Sequence, residues 1–395
     1  MTNTQELIAI CKSNFSYIQS IRRDLHMHPE LAFNEYRTAS VIERELRKLN
    51  GVNIKTGIGK TGIVAQFEGK HNPDKVVMLR FDMDALPIQE ENDVEYASVV
   101  PNVSHKCGHD GHVAAGLSIA RILHGIKDEI HGTIKFIFQP AEEGANGAVS
   151  MISDGALEDP KPNAALGFHV WNEKQIGWFG ISSGPIMAGV DDFKITITGK
   201  GGHGAIPDMT ADPIIASAQI ISALQTIVSR NISPINTAVV SVTKIESGTA
   251  FNIIPQSAEM LGTIRAFDEN VRMVILNRLQ EITNQIASAM NCRAEIIINH
   301  LAPPVINDDK ITQIILPIAS EVFPGAIIDT SFKTMGAEDV SFFLERVPGC
   351  FIMVGSSNIE KGYSHSHHHP KFDFDEYALV EAVTLLVLAA KKILS

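Results

Sequence analysis

The sequence predicts an α/β fold: a mostly parallel sheet with helices on both faces, interrupted by a smaller α+β unit of ferredoxin-like order. Three observations carry this prediction. The 395-residue length exceeds the range over which a single hydrophobic core keeps growing. Towards both ends of the chain, short apolar runs alternate with helical stretches, the pattern of parallel strands buried on both faces. In the middle the order of elements changes to βαββαβ, the ferredoxin-like arrangement.

From the N-terminus, Leu7, Cys11, Phe15, Ile18, Ile21 and Leu25 recur at helical spacing and predict one amphipathic helix. A second helix begins at Glu35 and stops before Asn50-Gly51, a good terminator. Apolar runs at Gly62–Phe67, Val76–Phe81, Thr133–Phe138 and Ala164–Phe168 predict buried strands, with a helix over Val113–Ile126 among them. The central segment reads as strands at Phe193–Thr198, Thr237–Ile245, Ala258–Phe267 and Arg293–Ile298, with helices at Asp212–Arg230 and Asn270–Met290. Ser183-Gly184-Pro185 and Ala302-Pro303-Pro304 flank it as hinge segments. A strand at Cys350–Gly355 and a helix at Tyr377–Leu394 close the chain. The expected division is a discontinuous α/β domain, residues 1–185 with 303–395, and an insert at 186–302.

Composition narrows the function. Apolar residues make up 45% and charged residues 20%, an ordinary globular balance. A formal net charge of -12 argues against nucleic acid, which needs clustered Lys and Arg. The N-terminal stretch lacks a basic segment followed by an apolar one, and no stretch approaches the roughly 18 apolar residues of a membrane span. The four cysteines lie far apart, so disulfides are not expected and a reducing cytoplasm is the expected compartment.

The chemistry concentrates in a few segments. His105-Lys-Cys-Gly-His-Asp-Gly-His112 brings Cys107 and His109 close enough to grip a metal from one turn, and thiolate beside imidazole suits zinc-like ions. A lone histidine would more often cap a helix or satisfy a core hydrogen bond; four candidate ligands in eight residues favour metal. The run Thr133–Phe138 ends in Gln139-Pro-Ala-Glu142-Glu143-Gly144. Adjacent carboxylates at the end of a buried strand are costly unless neutralised, so one glutamate is expected to ligate metal and the other to move a proton. Ala164–Phe168 is expected to end at His169, and Val76–Phe81 at Asp82-Met-Asp84. Together these groups lie at the ends of parallel-type strands, where open α/β sheets bind their ligands. The cluster His365-Ser-His-His-His369-Pro offers one further ligand, and spacing alone does not say which histidine.

These segments resemble the N-acyl-amino-acid amidohydrolases, the family of hippurate hydrolases and plant auxin-conjugate hydrolases, relatives of aminoacylase and zinc carboxypeptidases. The matching segments include Arg80–Ile88, Cys107-Gly-His-Asp110, Gln139–Gly144, Gly167-Phe-His-Val170, Gly199–Gly204, Asn252-Ile-Ile-Pro255, Gly262-Thr-Ile-Arg265, Gly336-Ala-Glu-Asp339 and His368-His-Pro370. The resemblance implies that Cys107, His109, Glu143, His169 and His368 bind two divalent ions (zinc, manganese, cobalt or nickel), with Cys107 bridging them. His368 is taken because the family's ligand lies two residues before the proline. Glu142 would be the general base, and His203 would polarise the scissile carbonyl from a lid and dimerisation module. Asn252 and Arg265 would hold the substrate, the guanidinium gripping its carboxylate.

The sequence departs from the family at Asp208, where a histidine is usual, at Asn172, where a proline is usual, and at Phe81, where an alanine is common. These changes spare the expected ligands and bear on substrate preference. The expected activity is hydrolysis of an N-acyl amino acid by a homodimer. The rivals are a dipeptidase or carboxypeptidase with the same machinery, a non-catalytic metal-dependent binding protein, and a hydrolase using Cys107 as nucleophile. A binding protein has no use for Glu142 as a general base, and a cysteine nucleophile leaves Glu143, His169 and His368 without a role.

Overall fold

Alternation along the strand that ends at Asp82 decides the layering of the larger unit. Val77, Leu79 and Phe81 join one apolar cluster, while Met78 between them joins another on the opposite face. The computed structural model describes residues 2–144 and 146–395, the side chains of 71–73 excepted. Within it the chain divides into two compact units. One comprises Met1–Gly184, Ile306–Phe332 and Asp339–Ser395, and the other Pro185–Val305 with Lys333–Glu338.

The larger unit is built on an eight-stranded sheet, in the order Asn53–Ile58, Gly62–Glu68, His131–Gln139, His71–Asp82, Ala164–Gln175, Gly349–Ser357, Trp178–Gly180 and Ile327–Asp329. The four strands from His131–Gln139 to Gly349–Ser357 run parallel; the pairings beyond Gly62–Glu68 and across Gly349–Ser357 to Trp178–Gly180 are antiparallel. Helices Phe15–Met27, His109–Gly125 and Tyr377–Leu394 pack their apolar residues on one face, and Gly147–Ser153 and Ser341–Leu344 on the other. That is the predicted α/β class.

The smaller unit carries a four-stranded antiparallel sheet in the order Ala238–Ser247, Ser257–Ala266, Gly189–Thr198, Arg293–Ala302, with helices Pro213–Thr226 and Glu269–Ala289. Counted along the chain this is the βαββαβ order read from the sequence. Phe193, Ile195 and Ile197 pack with Ile220, Leu224, Ile275 and Leu279 in the unit's own core.

Two local expectations are corrected. The first helix is two, Thr4–Ser13 and Phe15–Met27, because Ser13 Oγ and Asn14 Nδ2 both donate to the Ile10 carbonyl, at 2.8 and 2.9 Å. Apolar spacing continues through the break and hides it. The strand expected to end at His169 runs on to Gln175, since parallel pairing with its neighbour persists to Trp171 opposite Gly355. His169 therefore sits inside a paired strand, with less freedom than a loop histidine has.

Candidate active site

Gly108 is the hinge on which the first two expected ligands turn. Its φ of 93° lies in the left-handed region, and a Cβ there would stand 2.5 Å from Val170 Cγ2, so glycine is required. The turn leaves Cys107 in the loop and starts a helix at His109. Ligand atoms of Cys107, His109 and His169 lie within 4.8 Å of one another, as do those of Cys107, Glu143 and His368, and of His109, Glu142 and Glu143. Cys107 belongs to two of these groups, as does His109, which suits a pair of ions sharing ligands.

Each imidazole is oriented from behind. His109 directs Nδ1 at the Asp84 carbonyl, 3.0 Å, and at Asp84 Oδ1, 3.2 Å, while its buried Nε2 makes no hydrogen bond among the described residues and lies 3.9 Å from Asp82 Oδ2. His169 donates from Nδ1 to the Val170 carbonyl at 2.6 Å, and its Nε2 lies 3.5 Å from Cys107 Sγ. Such outer contacts fix the tautomer of a metal-binding histidine. His112, by contrast, is used up: its Nδ1–H faces Asp82 Oδ1 at 2.5 Å and its Nε2 accepts from Val170 N–H at 3.1 Å. Both of its ring nitrogens are thus engaged within the protein, and it braces the site. Asp82 also accepts from Arg80 at 2.6 Å, and Arg80 reaches Gln139 at 2.7 Å and Asp339 at 3.0 Å. This buried fork ties two strand ends together beneath the cluster.

The structure separates the clustered histidines. His368 Nε2 lies 3.2 Å from Glu143 Oε1. His367 has its Nδ1 4.0 Å from Cys107 Sγ, but its Nε2 accepts from Asn172 N–H at 3.2 Å. Asn172 in turn donates to the His365 and Asp373 carbonyls, at 2.7 and 3.0 Å, so the residue that departs from the family pattern fastens the histidine loop.

The electrostatics call for cations. Burial, together with Glu143, Glu142 and Asp82, pushes the Cys107 thiol well above its usual range. Burial would lower His109, but Asp82, Asp84 and Glu143 raise it to about 10. Burial and the neighbouring His112 and His367 hold His169 well below the ordinary imidazole value, the neutral form a metal needs. Buried His109 Nε2 and Glu143 Oε1 make no hydrogen bond among the described residues. The contact of the latter with His368 has the distance of an ion pair without hydrogen-bond alignment. Orphaned donors and acceptors facing one space, among thiol, imidazole and carboxylate, fit two divalent ions.

A second buried network stands behind the ligand loops. Arg22 donates to Asp110 and Asp373 at 2.9 and 2.6 Å, and His26 bridges Asp110 and Glu90 at 2.7 and 3.0 Å. Lys106 pairs with Glu90 and reaches the Phe372 carbonyl at 3.1 Å, while its own carbonyl accepts from His368 N–H at 2.8 Å. Nothing in the spacing of these residues announces the network; only the fold assembles it.

The remaining expected site residues belong to the smaller unit. His203 and Asn252 are exposed neighbours: Gly202–His203 pairs with Ile253–Ile254, and Gly204 N–H donates to the Asn252 carbonyl at 2.8 Å. His203 Nδ1 accepts from Ala205 N–H at 3.0 Å, which leaves Nε2 as the donor. Arg265 lies apart from them on Ser257–Ala266, where burial lowers its pKa and it donates to the Met335 carbonyl at 3.4 Å.

Comparison with known proteins agrees with this chemistry. Residues 78–392 match peptidase family M20/M25/M40. The chain is 41% identical to thermostable carboxypeptidase 2 of Saccharolobus solfataricus, over 95% of each chain. It is 39% identical to N-acetyl-L-cysteine deacetylase of Bacillus subtilis, over 95% of this chain and 87% of that one. An Arabidopsis thaliana IAA-amino acid hydrolase, ILR1-like 4, is 36% identical over 96% of this chain and 87% of its own. The crystal structure of Bacillus subtilis YXEP, described as a dinuclear metal-binding peptidase, superposes with a TM-score of 0.85 at 35% identity, covering 97% and 99% of the two chains. The chain thus belongs to peptidase family M20/M25/M40 and is a metal-dependent hydrolase of amide bonds.

Proposed function

We propose that the enzyme cleaves N-acyl amino acids to a carboxylic acid and a free amino acid, with Cys107, His109, Glu143, His169 and His368 holding two divalent ions and Glu142 as the general base. The observation that carries this reading is the pair of adjacent glutamates. Glu143 lies in one donor group with Cys107 and His368, whereas Glu142 shares its groups with His109 and Glu143 and with Glu338 and Asp339, and in neither with the thiol. The bound ions would supply Lewis acidity to the acyl carbonyl and acidify the attacking water. Glu142 takes a proton from that water as its oxygen adds to the acyl carbon, and returns it to the amine nitrogen as the C–N bond breaks. His203 Nε2–H is suited to donate to the carbonyl oxygen, and Arg265 and Asn252 to hold the substrate's carboxylate and amide.

The N-acetyl-L-cysteine deacetylase and IAA-amino acid hydrolase relatives support an N-acyl amino acid; the carboxypeptidase relative supports a peptide instead. Rates on N-acetyl, N-benzoyl and indole-acyl amino acids, set against dipeptides with free N-termini, decide between them. The proposal expects the higher kcat/KM on an acylated amino acid, and a consistent preference for free dipeptides would refute it.

We further propose a homodimer formed through the smaller unit. Its helix Pro213–Thr226 leaves Ile214 and Ile215 exposed, Phe251 is fully exposed, and its sheet has open edges at Ala238–Ser247 and Arg293–Ala302. Light scattering should give twice the 43.0 kDa chain mass, and Ile215→Glu should lower it. A monomeric parent protein would exclude this assembly.

A further inference from the structure

Glu35 lies 106 residues before Ala141 and outside every ligand segment, yet it is fully buried. Its Oε1 accepts from Ala141 N–H at 2.9 Å, and its Oε2 accepts from Thr61 Oγ1–H at 2.6 Å. Ala141 immediately precedes Glu142 and has a φ of 54°, a left-handed conformation that residues with a Cβ seldom adopt. Such a conformation persists only where its surroundings over-determine it, and here both of its backbone polar groups are held. The N–H goes to Glu35, and the Ala141 carbonyl accepts from Gly147 N–H at 3.0 Å. Gly147 can make that approach because it lacks a side chain; a Cβ there would stand 1.7 Å from the Pro140 carbonyl oxygen. On the far side of Glu142, Glu143 N–H donates to Asp84 Oδ2 at 3.0 Å. The amides on either side of Glu142 are therefore each gripped by a buried carboxylate.

We propose that Glu35 is a positioning residue for the reaction: by holding the Ala141 amide it fixes the left-handed turn that aims the Glu142 carboxylate. This inference rests on the reading of Glu142 as the general base. Burial raises the Glu35 pKa, and the Thr61 hydroxyl opposes that rise. The carboxylate is kept where a shorter or apolar side chain would fill the space without holding the turn. A base displaced by about an ångström loses rate out of proportion to the distance, because proton transfer needs a near-attack geometry. Metal ligation through Glu143 has its own anchor in Asp84, so loss of Glu35 should act on Glu142 first.

The test compares Glu35→Ala, Glu35→Gln and Thr61→Val, in the metal-loaded parent enzyme and in Glu142→Gln. Glu35→Ala should lower kcat by about tenfold to a hundredfold with KM and metal content unchanged. Glu35→Gln keeps an oxygen acceptor for the Ala141 amide and should restore kcat to within about threefold of the parent. Thr61→Val removes the other partner of Glu35, and should lower the melting temperature while leaving kcat in place. In Glu142→Gln, adding Glu35→Ala should slow the residual rate no further, because the group being aimed is already gone. If Glu35→Ala does not fold, Glu35→Asp, which withdraws the carboxylate by one methylene, takes its place with the same expectation. A folded Glu35→Ala (or Asp) enzyme within twofold of the parent kcat overturns the proposal. So does Glu35→Gln as impaired as Glu35→Ala, or an undiminished effect in Glu142→Gln; in each case a crippled Glu142→Gln leaves the base assignment standing. A parental rate in Glu142→Gln would instead remove the base assignment, and this inference with it.

Discussion

The two units present their functional groups in opposite ways. In the larger one, His109, His169 and Glu143 are each held by a second buried contact, to Asp84, to the Val170 carbonyl and again to Asp84. In the smaller one, His203 and Asn252 are exposed on a ribbon of paired two-residue strands, held by backbone contacts of the turn itself. A metal centre tolerates little geometric slack, and the proposed ligands are held in a way that suits it. Groups proposed to meet only the substrate, as His203 and Asn252 are, can stay solvated until it binds. The contrast teaches that mutations in the larger unit should act on metal and chemistry together, and those in the smaller unit on chemistry alone.

The largest effect should come from the paired glutamates. Glu142→Gln should lose about 10²-fold or more in kcat with metal content near normal. Glu143→Gln should lose metal. Metal analysis beside kinetics separates them, and identical behaviour of the two variants would erase the assigned division of labour. Next, His203→Ala should lower kcat on the order of 10²-fold, as for removal of one carbonyl donor, with bound metal unchanged. A fall in metal content would blur the contrast between the units. Mixing inactive Glu142→Gln and His203→Ala subunits sharpens it: recovered activity in confirmed mixed dimers shows a site shared between subunits.

Smaller still is Asp84→Asn. An amide in place of the carboxylate keeps one acceptor but sets an NH₂ against either the His109 ring or the Glu143 amide. Metal affinity should fall by about 10- to 100-fold, read by chelator competition. The smallest effect concerns acid stability. Burial would raise Glu90, but His26 and Lys106 bring its pKa down to about 2. A carboxylate depressed on folding contributes stability that is full above its ordinary pKa near 4.5 and is lost as pH falls towards 2. The melting temperature of Glu90→Gln should therefore depend less on pH across that window than the parent's.

Much of this was legible in residue order. Helical and strand periods gave both architectures, and Cys107-Gly-His109 and Glu142-Glu143 announced a metal site because ligand spacing is a local property. Other features depend on what the fold brings together. Spacing could not choose between His367 and His368; the structure engages one with Asn172 N–H and sets the other against Glu143. Asp84 was visible only as one of a pair of acids, and its grip on two ligand segments needs the sheet. Glu35 and Lys106 carried no signal, because their partners are remote in sequence or are backbone groups. The break at Asn14 was missed because side chains bonding to the backbone compete with the helix without disturbing apolar spacing.

The central claim is that this cluster holds two ions and that hydrolysis depends on them. Chelator-treated enzyme, verified free of metal, should be inactive on an N-acyl amino acid. Stepwise addition of manganese, cobalt or zinc should restore activity to a plateau at two ions per chain by elemental analysis, and Cys107→Ser should weaken retention of both ions. Full activity in the metal-free protein would contradict the account outright.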